Sequence, residues 1–327
     1  MGIDFDTRFL IAKLQASAGV AADYAGSDLI PALELTHRPL EADRQSRDLV
    51  DGNPGATGAD FLARPRVRVT AALEASAATA LGSAPFWGGM AQACGLAQTL
   101  SAGASAAYTP RQDDAALWAT LVGGFGGSQG APGSARDFLQ EAVDATGTIG
   151  FQASDGDIPR LNFEMTALYG APVARDAIAA ASPLDIGPLG QAGYREADHV
   201  SHANTTFTFA GQPLVLREMT MQDETPVIHN DRPNDLSTRR GRRRYTGRMV
   251  VTAPPLGSLD YFARSIDGTE QALLFRNGPA GNRFEFRADR VQAFLTDLGE
   301  QDNEVTATFD LLYLRDAATN EFRMTAQ

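Results

Sequence analysis

Short segments in which apolar and polar residues alternate are the feature that most limits how this chain can fold. In Glu304–Tyr313, every second residue from Val305 onward is apolar, and most of the residues between them are charged or threonine. Asn282–Ala288 shows the same pattern. A period of two is typical of strands with one buried face. We therefore predict a mainly β protein, with further strands at Thr205–Ala210, Pro213–Gln222, Gly247–Ala253 and Gln271–Arg276.

The two halves of the chain show the same order of segments. Each has a strand, a long polar and irregular stretch, a second strand, a short helix and two more strands. In the first half these are Pro31–Thr36, Glu41–Arg64, Arg66–Ala71, Ala84–Gly95, Gly147–Ala153 and Ile158–Tyr169. In the second half they are Pro213–Glu218, Asp223–Arg244, Arg248–Ala253, Leu256–Ile266, Asn282–Ala288 and Glu304–Tyr313. A repeat of this length indicates a duplicated domain, because solenoid units span only ~20–50 residues.

The repeat predicts two tandem β-sandwich or β-barrel domains, residues 1–180 and 181–327, each with a short flanking α-helix. The alanine- and proline-rich segment Ala171–Ala192 is the predicted linker. In the second helix, Ser258 is the predicted N-cap. The apolar residues of that helix are expected on one stripe facing the core: Leu259, Phe262, Ala263 and Ile266.

The composition argues against several functional classes. Forty acidic residues against 28 basic ones give a net charge of −12, which disfavours general nucleic-acid binding because that requires neutralised phosphates. Cys94 is the single cysteine, so an internal disulfide and a cysteine-cluster metal site are excluded. No apolar run approaches the ~20 residues that span a bilayer. The acidic residues that follow Met1 are unlike a signal peptide, so we expect a protein made in a cytoplasm.

Sequence signatures of catalysis are weak. The glycine-rich segment Gly123–Gly130 lacks the Gly-Lys-Ser/Thr ending of a P-loop, and we interpret it as a surface loop. No two histidines form a His-x-x-x-His pair, although His199 and His202 are close in sequence and leave zinc binding open as an alternative. Cys94 is predicted to pack in the core. We therefore expect a protein that is not an enzyme and that holds no cofactor or metal.

One basic cluster stands out in an acidic chain. It consists of Arg239, Arg240, Arg242, Arg243 and Arg244. One interpretation is phosphate binding. The other, which we favour, is a protein interface with acidic partners, because the net charge is negative and four acidic residues are close in sequence: Asp223, Glu224, Asp231 and Asp235. Replacing these arginines is then expected to change assembly more than retention of DNA.

Several segments carry a resemblance to a known protein family. The most specific are Pro85–Gly95, with the pattern Pro-x-Trp-Gly and a helix ending in Ala-Cys-Gly, and Phe163–Pro172. Weaker segments are Thr7–Gln15, Ser27–Leu35, Val69–Ser76, Tyr108–Pro110, Gly147–Ser154 and Gly278–Asn282. Together they resemble the major tail tube proteins of long-tailed, siphovirus-like bacteriophages. One departure is Ala115–Asp144, where that family has a strand hairpin and this chain has a glycine-rich tract.

The resemblance implies a structural subunit of a phage tail tube, located in the virion and assembled in the host cytoplasm. Sheets from neighbouring subunits would form a continuous β-barrel around a channel for DNA. The implied partners are further copies of the chain, a tape-measure protein and a tail terminator protein, with DNA only in transit and no membrane. The rings would stack through the long polar stretches, which makes these the candidate contact residues: Glu41, Asp43, Arg44, Arg47, Asp48, Asp231, Arg239, Arg240, Arg242, Arg243 and Arg244.

A channel that lets DNA pass should repel phosphates, so we expect acidic residues on its wall. The polar faces of the strongest strands offer Glu164, Glu304 and Asp310 as candidates. Alternation alone leaves open whether these residues face the channel or the outer solvent.

The duplication also predicts the symmetry of the ring. The resemblance implies six domains around the channel, so three chains with two domains each would complete a C3 ring. A single tube domain with a decorating second domain would instead require a hexamer.

Two other functional classes remain as alternatives. A β-sandwich module that binds carbohydrate or a receptor requires an exposed aromatic platform, whereas Trp87 and Trp118 have apolar neighbours and are predicted in the core. A secreted hydrolase requires a convergent acid, base and nucleophile, and no such set is evident in the sequence.

Overall fold

The computed structural model describes residues 8–25, 27–47, 59–113, 116–125, 138–174, 193–317 and 320–327. These residues form large antiparallel β-sheets with two short helices, so the prediction of a mainly β fold is confirmed. We call the part up to Ala174 the first half, and the part from Gly193 onward the second half.

Most of the described chain is strand. The first half contains β1 (Arg8–Leu14), β2 (Glu34–Gln45), β3 (Phe61–Glu74), α1 (Gly88–Ala93), β4 (Leu96–Ser101), β5 (Ser105–Pro110), β6 (Ala119–Phe125), β7 (Phe138–Ser154), β8 (Arg160–Leu168) and β9 (Val173–Ala174). The second half contains β10 (Thr205–Phe209), β11 (Gln212–Pro213), β12 (Leu216–Asp223), β13 (Val227–Arg232), β14 (Asp235–Arg240), β15 (Tyr245–Thr252), α2 (Tyr261–Asp267), β16 (Glu270–Asn277), β17 (Phe284–Gln301), β18 (Glu304–Tyr313) and β19 (Arg323–Ala326).

The order in which strands pair is the same in the two halves. In the first half, neighbouring strands follow the order β1-β6-β7-β8-β3-β2. In the second half the order is β10-β16-β17-β18-β15-β12. The helices also correspond, since α1 follows β3 and α2 follows β15. The β4–β5 hairpin has no counterpart between α2 and β16.

The two longest strands, β7 and β17, each change partners along their length. Residues of β7 up to Ala145 pair with β6, and those from Thr146 onward pair with β8. The change coincides with Asp144, whose φ of 55° lies in the left-handed region, and a register irregularity in the β6–β7 pair marks a bulge. In the same way, β17 pairs with β16 up to Gln292 and with β18 from Val291 onward.

Strands of the two halves pair with each other at two places. Gly150–Ser154 of β7 pairs with Glu218–Gln222 of β12, and Ala106–Tyr108 of β5 pairs with Met324–Ala326 of β19. The first junction joins β2-β3-β8-β7 to β12-β15-β18-β17. These eight strands, which we call the eight-strand sheet, form one continuous row through both halves within a sheet of 17 strands.

The core is also continuous across the junction. Phe151 of β7 stacks on Phe286 of β17, with ring centroids 5.2 Å apart, and it contacts Phe275 and Phe284 at 5.3 and 5.4 Å. Trp87, just before α1, is fully buried and contacts Phe284 at 6.1 Å. The prediction of Trp87 as a core residue is confirmed. Aromatic rings from both halves thus fill one interior.

Both helices are shorter than predicted. Helix α1 covers only the central part of Ala84–Gly95. The N-cap of α2 is Asp260 rather than Ser258, because the Asp260 carboxylate accepts a hydrogen bond from the Ala263 amide at 3.0 Å. The Ser258 hydroxyl instead donates to the carbonyl three residues before it. The predicted N-cap is therefore wrong by two positions.

The predicted apolar stripe of α2 is wrong in its orientation. Leu259 is buried but precedes the helix, and Tyr261 is the buried residue within it. Phe262, Ala263 and Ile266 are exposed, and Ile266 retains 85% of its accessible surface. A helix of two turns presents few residues to the core. The contacts at its two ends therefore decide which face is buried, and the spacing of its apolar residues does not.

The two long polar stretches are partly ordered as strands, which corrects the prediction of irregular structure. Strand β2 continues to Gln45 and β3 begins at Phe61, while residues 48–58 lie outside the described part of the chain. In the second half, β13 and β14 form a two-stranded hairpin within Asp223–Arg244. Exposed hairpins are polar on both faces, so they lack the alternation by which a strand is recognised.

The glycine-rich segment begins inside a strand. Gly123 and Gly124 belong to β6, which pairs with β7. A strand hairpin is therefore present in Ala115–Asp144 where the sequence predicts a departure from the family pattern. A Cβ at Gly123 would come within 2.7 Å of the His37 ring, so only glycine fits under this side chain. The remaining segment, 126–130, lies outside the described residues.

The predicted linker is described only at its start. Val173–Ala174 forms β9, which pairs with the beginning of β7. Residues 175–192 lie outside the described part of the chain.

Protonation of His37 should destabilise the fold. Burial lowers the pKa of His37 below its ordinary value of 6.5, and a hydrogen bond with Gln140 offsets part of this effect. Below pH 6.5 the unfolded chain binds more protons at this residue than the native one, so stability is lost as the pH falls through that value. We expect a lower Tm at pH ~5.5 than at pH ~7.5 in thermal melts. In a His37→Asn variant this difference should shrink; an unchanged difference would contradict the role of His37.

Candidate functional site

The β13–β14 hairpin of the second half lies over the first half. The Trp118 indole donates a hydrogen bond to the Thr238 carbonyl at 3.1 Å. The Thr238 hydroxyl donates to the carbonyl of Asp144, at the bend of β7. Trp118 is half-buried in this contact, so its predicted place in the core is only partly confirmed. The hairpin thus connects the halves in addition to the two strand pairings.

A buried ion pair lies at the base of this hairpin. The Arg240 guanidinium contacts the carboxylate of Asp223, whose side chain is 0% exposed. Asp223 also accepts hydrogen bonds from the amide, at 3.0 Å, and from the hydroxyl of Thr225. Burial raises the pKa of Asp223, while Arg240 and Thr225 offset part of this rise. The pair ties the end of β12 to the end of β14.

The same guanidinium covers the end of helix α1. Gly95 follows the helix with a φ of 81°, and the Arg240 guanidinium occupies the space that a Cβ at Gly95 would need. Cys94, beside it, is fully buried, as the sequence predicts. Burial raises the pKa of the Cys94 thiol, which leaves it protonated and unreactive.

A second arginine of the predicted cluster also acts within the chain. Arg243 donates to Glu321 at 2.8 Å and to the carbonyl of Arg111. The guanidinium groups of Arg240 and Arg243 therefore hold β12, β14 and the C-terminal segment together. Only the exposed arginines of the cluster therefore remain candidates for the predicted contact with a neighbouring ring.

Those exposed members are dispersed over the hairpin. Arg239, Arg242 and Arg244 are exposed, and so is Asp231 on β13. Arg244 pairs with Glu224 at 3.4 Å. Mixed charges of this kind favour a protein interface over a phosphate site, which needs several unpaired cations.

The β2–β3 hairpin carries the first set of candidate contact residues. Arg66 contacts Glu41 at 2.6 Å and Asp43 at 3.5 Å, and it lowers the pKa of Glu41. Arg44 pairs with Asp60 at 2.5 Å. At the far end, Arg47 lies 5.3 Å from the centre of the Phe61 ring. Asp48 lies outside the described residues.

The three candidate channel acids lie on one face of the eight-strand sheet. Glu164 on β8 and Asp310 on β18 are both exposed and point away from the core. Glu304 occupies the same side at the start of β18, where it pairs with Arg217 at 2.9 Å. Glu164 pairs with Arg68, and Asp310 lies opposite Arg248 in the β15–β18 register. The face therefore combines acids with arginines, and its place in a channel stays a prediction.

A groove of about 550 Å³ separates the two hairpins. Its walls carry carboxylates and guanidinium groups, together with His229 of β13. Burial, and then the charge of Arg66, lower the pKa of His229. Glu41 and Glu164 on these walls are paired with arginines. Because these carboxylates and guanidinium groups are paired with each other, they are not free to bind a charged substrate in the groove.

Two strand edges of the eight-strand sheet have no partner among the described strands. At one end, β2 pairs only with β3. At the other, the part of β17 beyond Gln292 pairs only with β18. Unpaired edges are templates for pairing with another chain. The sequence did not reveal these edges, because alternation identifies strands and not their neighbours.

Other kinds of site are not evident in the described part of the chain. There, no three His, Cys, Asp or Glu side chains come together as a group that could hold a metal ion. No helix in these residues has the length and apolar character to cross a membrane. Comparison with known proteins finds no family model that matches this chain and no curated protein similar to it. The strand edges and the β13–β14 contact are therefore the observations from which a function is inferred.

Proposed function

We propose that this protein is a structural subunit that joins edge to edge with copies of itself into closed rings, which stack as the tail tube of a long-tailed bacteriophage. The observation that carries the proposal is the β7–β12 junction between two halves with the same strand order. Within one chain, the β7 edge of the first half meets the β12 edge of the second. The counterpart of β7 is β17, and the counterpart of β12 is β2. These are the two edges left unpaired.

The contact between β7 and β12 within one chain can therefore be repeated between two chains. The β17 edge of one copy would pair with the β2 edge of the next, in a head-to-tail arrangement that closes into a ring or continues as a filament. This supports treating the halves as two tandem tail-tube domains, and the bent strands β7 and β17 as the strands that connect the sheets of each domain.

The size of the sheet favours three chains in a ring. Three copies of an eight-strand sheet supply about 24 strands. With strands ~4.8 Å apart and tilted by about 40°, such a barrel has a backbone diameter of roughly 45–50 Å. Two copies would supply about 16 strands and a diameter of about 30 Å, which leaves only the narrower aqueous channel of a porin-sized barrel. A DNA duplex needs the wider channel, and the exposed face with Glu164 and Asp310 would line it.

In this role the channel would enclose a tape-measure protein during assembly and would end at a terminator protein. Its wall would combine acids with arginines, of which Arg68 and Arg217 are paired with carboxylates of the chain. Such a wall offers phosphates few free cations, so DNA would pass without being held.

Native mass spectrometry and electron microscopy of the purified chain at high concentration test the proposal. We expect rings with the mass of three chains, and tubes where these rings stack. A ring of six chains would contradict the trimer but not the tube. A strict monomer at every concentration would contradict the proposed function.

A further inference from the structure

The internal junction shows what covers the end of a helix in this fold. After α1, Gly95 lies beneath the Arg240 guanidinium, which comes from the β13–β14 hairpin of the other half. The hairpin also contacts the first half beside the bend of β7, where Thr238 bonds to Asp144 and Trp118. The β13–β14 hairpin, which lies between β12 and β15 in the sequence, thus covers the end of α1 in the other half.

The corresponding end of the second half is open. Helix α2 ends at Gly268, whose φ is 61°, and the helix lies on β17 through a hydrogen bond from the Leu295 amide to the Ser265 hydroxyl at 2.9 Å. No hairpin covers it among the described residues. An exposed apolar surface remains, which we call the α2 patch: Phe262, Ile266, Leu298 and Val305.

The members of the α2 patch are close together. Leu298 pairs with Ala307, which is buried on the core side of β18. Val305 is two residues before Ala307 and therefore lies on the same side. Phe262 and Ile266 project from the helix that packs beside these strands. Exposed apolar side chains on adjoining elements indicate an interaction site.

We propose that the β2–β3 hairpin of a second copy of this chain covers the α2 patch. This hairpin corresponds to β13–β14, because it joins the counterparts of β12 and β15. It also carries apolar side chains that are about half exposed: Leu40, Phe61 and Leu62. The inference rests on the proposed function, since it names the contact by which neighbouring chains of a ring would close on each other.

The charges of the two surfaces are complementary. Asp297 and Glu300 are exposed on the unpaired part of β17, beside the α2 patch. Arg38 and Arg44 are exposed on β2, where they contact Glu41 at 3.9 Å and Asp60 at 2.5 Å, so each would exchange an acid of its own chain for one of the neighbouring copy. Opposite charges at the rim of an apolar contact fix its register and exclude wrong partners.

An Ile266→Glu variant tests the contact at the patch. Ile266 is 85% exposed in the single chain, so the substitution should leave the fold and its Tm unchanged. It should abolish ring formation in native mass spectra and leave a monomer. The matched control is Leu100→Glu on β4, an apolar residue that is 51% exposed and belongs to neither surface. This control should still form rings.

A mixing experiment identifies the occupant of the patch. A Phe61→Ser/Leu62→Ser variant keeps the β2–β3 hairpin but lacks two of its exposed apolar side chains. This variant should also be monomeric. Mixed with Ile266→Glu chains, it should form dimers and nothing larger. Each mixed pair would retain one intact hairpin and one intact patch, which is enough for a single contact.

The outcomes separate this inference from the proposed function. If wild-type chains form rings and Ile266→Glu chains do so equally well, the inference is overturned and the tube function stands. If both variants are monomeric but their mixture contains no dimer, the hairpin is not the occupant and the inference is overturned. If the wild-type chain never assembles, the inference and the proposed function both fail.

Discussion

Replacing Arg240 with methionine should lower the free energy of unfolding by about 3–5 kcal/mol, because it leaves a buried charge without a partner. The Asp223 carboxylate is 0% exposed and depends on this guanidinium. The methionine side chain keeps the apolar length of arginine, so the loss reports on the charge. Urea unfolding followed by tryptophan fluorescence measures it. The loss should decrease at lower pH, because a protonated Asp223 no longer carries a buried charge.

Two further variants make this result specific. Arg239→Met alters the exposed neighbour and should change stability by less than about 0.5 kcal/mol. A double variant, Arg240→Met with Asp223→Leu, should recover most of the stability, because both charges leave the interior together. A loss of less than about 1 kcal/mol in Arg240→Met would show that water reaches Asp223, contrary to the structure.

Replacing Phe151 with alanine should destabilise the whole molecule by about 3–5 kcal/mol. Its ring packs against Phe275, Phe284 and Phe286, all of which belong to the other half. The cavity would therefore open at the centre of a shared core. Because the two halves share this core and the β7–β12 pairing, we expect one cooperative transition, shifted as a unit, in differential scanning calorimetry.

The matched control is Phe294→Ala, which removes an exposed ring from β17. It should leave the transition of the single chain within about 0.5 kcal/mol of the wild type. Two separate calorimetric transitions would contradict this prediction. If Phe151→Ala lowered the Tm of only the transition of the first half, the halves would unfold independently.

Several strands with one buried face were predictable to within a few residues, whereas the long strands β7 and β17 extend well beyond their predicted bounds. Strand β18 has the predicted bounds of Glu304–Tyr313, β10 differs from its predicted bounds by one residue at one end, and β16 by one residue at each end. Alternation is a local property, since successive side chains point to opposite faces of a strand. The buried Trp87 and Cys94 were predictable for a related reason, because apolar and small neighbours surround them in the sequence.

The candidate site was predictable only in part. The sequence identified Arg239–Arg244 as an unusual segment and favoured an interface. It could not show that Arg240 would be buried against Asp223 while Arg239 stayed exposed. The exposed face of α2 was missed for a similar reason, because apolar residues such as Ile266 suggest burial when the sequence is considered alone.

By itself the sequence determined the positions of most strands and the recurrence of one pattern in both halves. It also determined which residues lie on the apolar face and which on the polar face of a strand. The tertiary structure alone decided that β7 meets β12, that β2 and β17 keep free edges, and that the β13–β14 hairpin covers the first half. The physical reason is that strand edges pair through backbone N–H and C=O groups, which nearly every residue carries. Side-chain patterns therefore specify a face, whereas the packing of the whole chain selects the partner.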